Sequence, residues 1–62
     1  MEEETTMTVY VNKTTTAKVE MTLTGVGYVY TVEKIAFPCN EVIAFEIVSY
    51  DEAKRICDSV EE

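Results

Sequence analysis

The sequence predicts an α+β domain: a four-stranded antiparallel sheet followed by one C-terminal helix packed on one sheet face, in the order ββββα. Three observations predict it. Apolar residues recur with period two in successive runs between residues 7 and 48. The breaks between these runs are short and polar or glycine-containing, as hairpin links are. At Ser49 the spacing of apolar residues changes to that of a helix face.

Residues 1 to 6 (Met-Glu-Glu-Glu-Thr-Thr) have no periodicity and are expected to form a disordered acidic tail ahead of a single domain, residues 7 to 62. In the first strand Met7, Val9 and Val11 alternate with Thr8, Tyr10 and Asn12, which puts Tyr10 on the polar face. After the break at Lys13-Thr14-Thr15, Ala17, Val19, Met21 and Leu23 alternate with Lys18, Glu20, Thr22 and Thr24. These two strands form a hairpin. Gly25-Val26-Gly27 is a turn and not a phosphate loop, because a dinucleotide fingerprint needs a third glycine and a helix directly after it. The residues directly after this turn, Tyr28-Val29-Tyr30-Thr31-Val32, are strongly strand-forming instead.

The third strand holds a conflict of parity. Tyr28, Tyr30 and Val32 share one face, whereas Ile35 and Phe37 share the other. A β-bulge near Glu33-Lys34 would reset the alternation; alternatively Tyr28 and Tyr30 face out and Val29 faces in. Phe37-Pro38-Cys39-Asn40 ends the strand, with Phe37-Pro38 a candidate cis bond against a trans default. A fourth strand from Glu41 to Val48 should bury Ile43, Phe45 and Ile47, with Val42, Ala44 and Glu46 opposite. Ser49-Tyr50-Asp51-Glu52 is a capping box. Ala53, Ile56, Cys57 and Val60 then form one helical face, and Asp51 is spaced to pair with Arg55.

Composition narrows the function. The 62 residues include 12 acids, 5 bases, no His and two cysteines, for a net charge of −7. Lack of His removes the commonest general base and zinc ligand, and two cysteines cannot make a four-sulfur site. No D-x-D-x-D-G loop is present, so neither a metal nor another cofactor is expected. Carboxylates could serve as general acid and base only in a cleft, for which so thin an architecture has little volume. Cys57 falls on the apolar helix face as a small hydrophobe, and Cys39 has no basic neighbour to activate it. The expectation is therefore a non-enzyme. Acidity argues against direct binding to nucleic acid or an anionic membrane. The acidic N-terminus and the absence of a long apolar run lead to the expectation of a cytoplasmic chain with the Asn12-Lys13-Thr14 sequon unused and both thiols reduced, a single disulfide being the alternative in an oxidising compartment.

Binding a macromolecule remains. Residues 41 to 62 hold seven acids and two bases, a local charge of −5 that could steer the chain to a basic groove. Plain solubility is the other use of such charge. Exposed tyrosines beside carboxylates make a recognition surface, unless they pack cross-strand and stiffen the sheet. The candidate partner-binding residues are Tyr10, Glu46, Tyr50, Asp51, Glu52 and Asp58.

Small acidic proteins without catalytic inventory resemble the inhibitors encoded by phages and mobile elements, and within them the anti-CRISPR proteins. The local match is Ser49-Tyr50-Asp51-Glu52-Ala53-Lys54-Arg55-Ile56, similar to the Ser-x-x-x-Ala-Lys-Arg-Ile helix start of one such inhibitor; it covers eight of the 62 residues. The resemblance implies a DNA mimic or steric blocker whose carboxylates occupy the Lys- and Arg-lined channel of a CRISPR surveillance complex. An antitoxin-like inhibitor of a basic nuclease would present the same surface. The alternative is a small assembly domain that forms a homodimer through a strand edge, its acidity serving solubility.

Overall fold

A computed structural model describes residues 5–60 of the chain. Four strands, β1 (Thr6–Val11), β2 (Ala17–Thr24), β3 (Gly27–Lys34) and β4 (Glu41–Ile47), precede one helix, α1 (Tyr50–Asp58). The strands form one antiparallel sheet in the order β1-β2-β3-β4, so each connection joins neighbours and β1 and β4 are the edges. The helix covers one face of this sheet. Of the six residues expected to form an acidic tail, Thr6 begins β1 and the Thr5 carbonyl accepts the Leu23 amide at 3.1 Å. Met1 to Glu4 lie outside the described residues.

The β2–β3 hairpin is regular from Ala17↔Lys34 to Thr24↔Gly27. Its turn is closed by the Thr24 hydroxyl, which donates to the Gly27 carbonyl at 2.7 Å and accepts the Val26 amide at 3.3 Å. Gly27 sits at φ +119°, a conformation that side chains disfavour, which is why glycine ends this turn. The link from β3 to β4 contains a cis Phe37-Pro38 bond, and the Asn40 side chain accepts the Ala36 amide.

The two edge strands depart from simple alternation. In β1, Thr8 pairs with Glu20 and Tyr10 with Val19, so Val9 is an inserted residue. That bulge moves Tyr10 and Asn12 to the helix-covered side and leaves Val11 exposed, the reverse of the expected facing. In β4 the register slips twice, between Val32↔Ala44 and Glu33↔Val42 and between Tyr30↔Ile47 and Val32↔Ala44. Ala44 and Ile47 therefore pack on the core while Ile43 and Phe45 are exposed, so Ile47 faces as expected and Ile43, Ala44 and Phe45 are reversed. The conflict in the third strand resolves the same way. β3 runs regularly against β2 with Tyr30 and Val32 facing the core, the irregularity falls on β4, and Ile35 and Phe37 stay outside.

The fully buried apolar set is Ala17, Val19, Val32, Ala53 and Cys57, with Val9, Tyr10, Tyr30, Ala44, Ile47, Ile56 and Val60 packed around it. The expected helix face, Ala53, Ile56, Cys57 and Val60, is the one that docks. A nine-residue helix is only about 13 Å long at about 1.5 Å per residue. It cannot shield a sheet of six- to eight-residue strands from end to end, so Met7, Leu23 and Tyr28 remain partly exposed.

Candidate protein-binding surface

The junction between β4 and α1 gathers four of the six candidate residues. Glu46, just before the last residue of β4, takes a left-handed backbone (φ 56°), unusual for a residue with a side chain, and this re-aims the chain before the helix. Val48 comes next, then Ser49, whose hydroxyl accepts the Glu52 amide at 3.3 Å. Only that half of the capping box is formed. Asp51 and Glu52 occupy the first helical turn, where the positive end of the helix dipole favours them. Both are exposed, as is Glu46. Tyr50 is partly exposed and packs a tilted ring on Tyr30, centroids 5.7 Å apart. The expected Asp51–Arg55 pair is not closed; the one ion pair among the described residues is Lys18–Glu20, 3.5 Å.

Tyr10 and Asp58 belong to a different feature. Tyr10 Oη donates to Asp58 Oδ1 at 2.5 Å, and Lys54 Nζ lies 5.1 Å from the centre of the Tyr10 ring. The phenol thus clips the last turn of α1 to β1. Hydrogen bonding to Asp58, then burial and the Asp58 charge, push its pKa up from 10.0 to about 12. Tyr10 is half-buried and engaged, so it does not stand as the free aromatic anchor that strand parity suggested.

Asn12 completes the clip, and sequence periodicity missed it. Its side chain is buried, 4 % exposed. Nδ2 donates to the Cys57 carbonyl and to Thr16 Oγ1, each at 3.0 Å, while Oδ1 accepts the Thr16 amide at 2.9 Å and the Thr14 hydroxyl at 3.2 Å. One residue therefore shapes the β1–β2 link and satisfies a carbonyl in the last helical turn. Nearby, burial pushes the Cys57 thiol pKa up, partly offset by hydrogen bonding from the Asn12 backbone and reinforced by the Asp58 charge, which suits an inert thiol. Cys39 and Cys57 are both free, the first exposed and the second buried.

The face of the sheet opposite the helix carries a second group of charges. Lys18 pairs across from Glu33, and Glu20 lies diagonally beside Glu33. Hydrogen bonding to the Glu20 carboxyl, reinforced by burial and the Glu20 charge, raises the Glu33 pKa against the opposing pull of Lys18. Among the described residues no three metal-ligating side chains cluster, and no helix is long and apolar enough to cross a membrane.

Next to the acidic residues in sequence lie exposed apolar side chains, of which sequence patterning had assigned Phe45 to the core. Phe45 and Val48 are 66 % and 81 % exposed, and Phe37, in the link ahead of β4, is 97 % exposed. The local clue was available only in part: Val48 directly succeeds Ile47, so both cannot continue one alternating face. No family model, curated protein or solved structure matches this chain.

Proposed function

We propose that this protein is a non-enzymatic inhibitor that covers a Lys- and Arg-lined nucleic-acid-binding surface on a partner protein, by mimicking DNA charge or by steric block. The observation that supports it best is the β4–α1 junction, where exposed Glu46, Asp51 and Glu52 flank Tyr50 next to exposed Phe45 and Val48. Carboxylates around an apolar and aromatic centre match the usual anatomy of a protein interface, and their sign selects a basic partner. An anti-CRISPR action on the DNA channel of a surveillance complex, in the cytoplasm of a host cell, is the specific form of this proposal. In this reading Tyr10 and Asp58 hold the helix in place and contribute through that position.

Two features of the charge limit its reach. The described residues carry seven acids and five bases, a net of −2, and Lys54 and Arg55 lie on α1 among its three acids. The acidic surface is therefore compact, centred on the junction rather than spread along the helix. Capture of a tagged chain's partner at low and high salt tests the proposal. A nucleic-acid-binding complex should be retained at low salt, released at high salt and displaced by its own DNA. Neutralising the junction (E46Q, D51N and E52Q together) should weaken capture about tenfold and flatten its salt dependence. Capture that ignores both the DNA and the triple variant would overturn it.

A further inference from the structure

We infer that the partner surface reaches past the β4–α1 junction onto the uncovered end of the sheet, where Tyr28, Tyr30 and Tyr50 receive an arginine side chain of the partner. The inference rests on reading the junction as an interface with basic side chains, and it names the group recognised there. Strand register builds the floor of the site. Tyr28 lies opposite Leu23 and Tyr30 opposite Met21, all on the helix side of the sheet, and Met7 lies opposite Met21 in turn. These are direct cross-strand neighbours, so they form one surface. Because α1 begins at Tyr50, that residue marks the edge of the covered area, and its ring rests against Tyr30 with centroids 5.7 Å apart. Beyond the edge Tyr28 is 55 % exposed, and Leu23 and Met7 are about half exposed.

Charge selects the occupant. Exposed Asp51 directly follows Tyr50, and exposed Glu46 directly precedes Ile47, which pairs with Tyr30. The lysines of the sheet lie toward its other end, Lys18 opposite Val11 and Lys34 opposite Ala17. Among the described residues the one cation held over a ring is Lys54 on Tyr10, which leaves the faces of the other three tyrosines to a cation from outside. The negative face of an aromatic ring attracts such a cation, and neighbouring carboxylates strengthen the attraction. Arginine fits better than lysine. Its planar guanidinium stacks on rings, offers a carboxylate two parallel donors and is more weakly hydrated than an ammonium. Its aliphatic stem can lie along Met21 and Leu23. The positive end of the helix opposes a cation here, but it amounts to about half a charge against the full charges of Asp51 and Glu52.

Tetra-arginine and tetra-lysine, equal in side-chain charge, are the probes, titrated into the isotope-labelled full chain and followed by amide chemical shifts. Tetra-arginine should bind about two- to fivefold tighter than tetra-lysine, with shifts centred on Tyr28, Tyr30, Tyr50 and Asp51. Tyr28→Leu should weaken tetra-arginine by about the same factor, whereas Tyr28→Phe keeps the ring and should bind as wild type does. Far-ultraviolet circular dichroism confirms that each variant is folded. Equal affinity for the two peptides, shifts spread over all the exposed acids, or wild-type binding by Tyr28→Leu would overturn the inference. The inhibitor reading fails by a different result. A chain that binds tetra-arginine at this site, yet captures no nucleic-acid-binding protein, sinks that reading and supports this one. Capture that is salt-sensitive and displaced by DNA, yet undiminished in Tyr28→Leu, does the reverse.

Discussion

Asn12 and Tyr10 show how much of this small fold depends on two side chains that strand parity had turned toward solvent. With Asn12→Ala, the Thr16 amide loses its acceptor and the Cys57 carbonyl loses one donor at a buried position. The expected cost is about 1–3 kcal/mol. Total stability for a chain of this length is roughly 3–9 kcal/mol, at about 0.05–0.15 kcal/mol per residue. Urea unfolding should therefore show a midpoint far below wild type; an unchanged midpoint would mean that water replaces the amide without loss. Tyr10 makes a different test. Its pKa is raised in the fold, from 10.0 to about 12, so the folded chain holds the phenolic proton more tightly than the unfolded chain does. The associated stabilisation is complete below pH 10 and is lost as pH rises toward 12. Asp58→Ala removes the acceptor, the first cause of the shift, together with its charge, and should bring the late-titrating tyrosine back toward 10.0 in an ultraviolet titration of tyrosinate. A titration unaltered by that substitution would rule out Asp58 as the acceptor that matters.

Among the elements, the helix was the most legible and the edge strands the least. Capping chemistry is local, and Ser49 does cap α1 by accepting the Glu52 amide. Ser49→Ala should destabilise the fold by about 1 kcal/mol, read as a fall in thermal midpoint without change in the folded circular dichroism spectrum. In the central hairpin the Glu20–Glu33 diagonal works against stability at neutral pH. Because the Glu33 pKa is raised above 4.5 in the fold, the folded chain binds more protons than the unfolded chain. Its favourable contribution is present below pH 4.5 and is lost as pH climbs through the raised value. Glu33→Gln should then stabilise the protein near neutrality by a few tenths of a kcal/mol, the scale of a solvent-screened charge pair. It should also flatten the gain that wild type shows on mild acidification. Thermal midpoints across the acid range would show both effects, and a variant less stable than wild type at neutral pH would contradict them.

At the scale of the whole molecule, the helix is too short for the sheet, and surface chemistry results from that mismatch. Nine residues cover the middle of one face, so apolar side chains toward the ends and on β4 stay in water. The order of elements, the glycine turn, the helix start and its docking face were all readable in the chain, because each depends on residues within a few positions of one another. The candidate surface was readable in part: Glu46, Tyr50, Asp51 and Glu52 meet because they are neighbours in sequence. Tyr10 and Asp58 meet across 48 positions, and nothing local announced that bond. By itself, then, the sequence determined the kinds of element, their succession and the acidic junction. Only the tertiary structure decided which side of each edge strand is inside. A single inserted residue in β1 reverses the side chains beyond it, the first slip in β4 turns Ala44 inward and Phe45 outward before the second returns Ile47 to the core, and alternation along one strand carries no record of its neighbour's register. That is why Asn12 became core, and why Phe45 became surface.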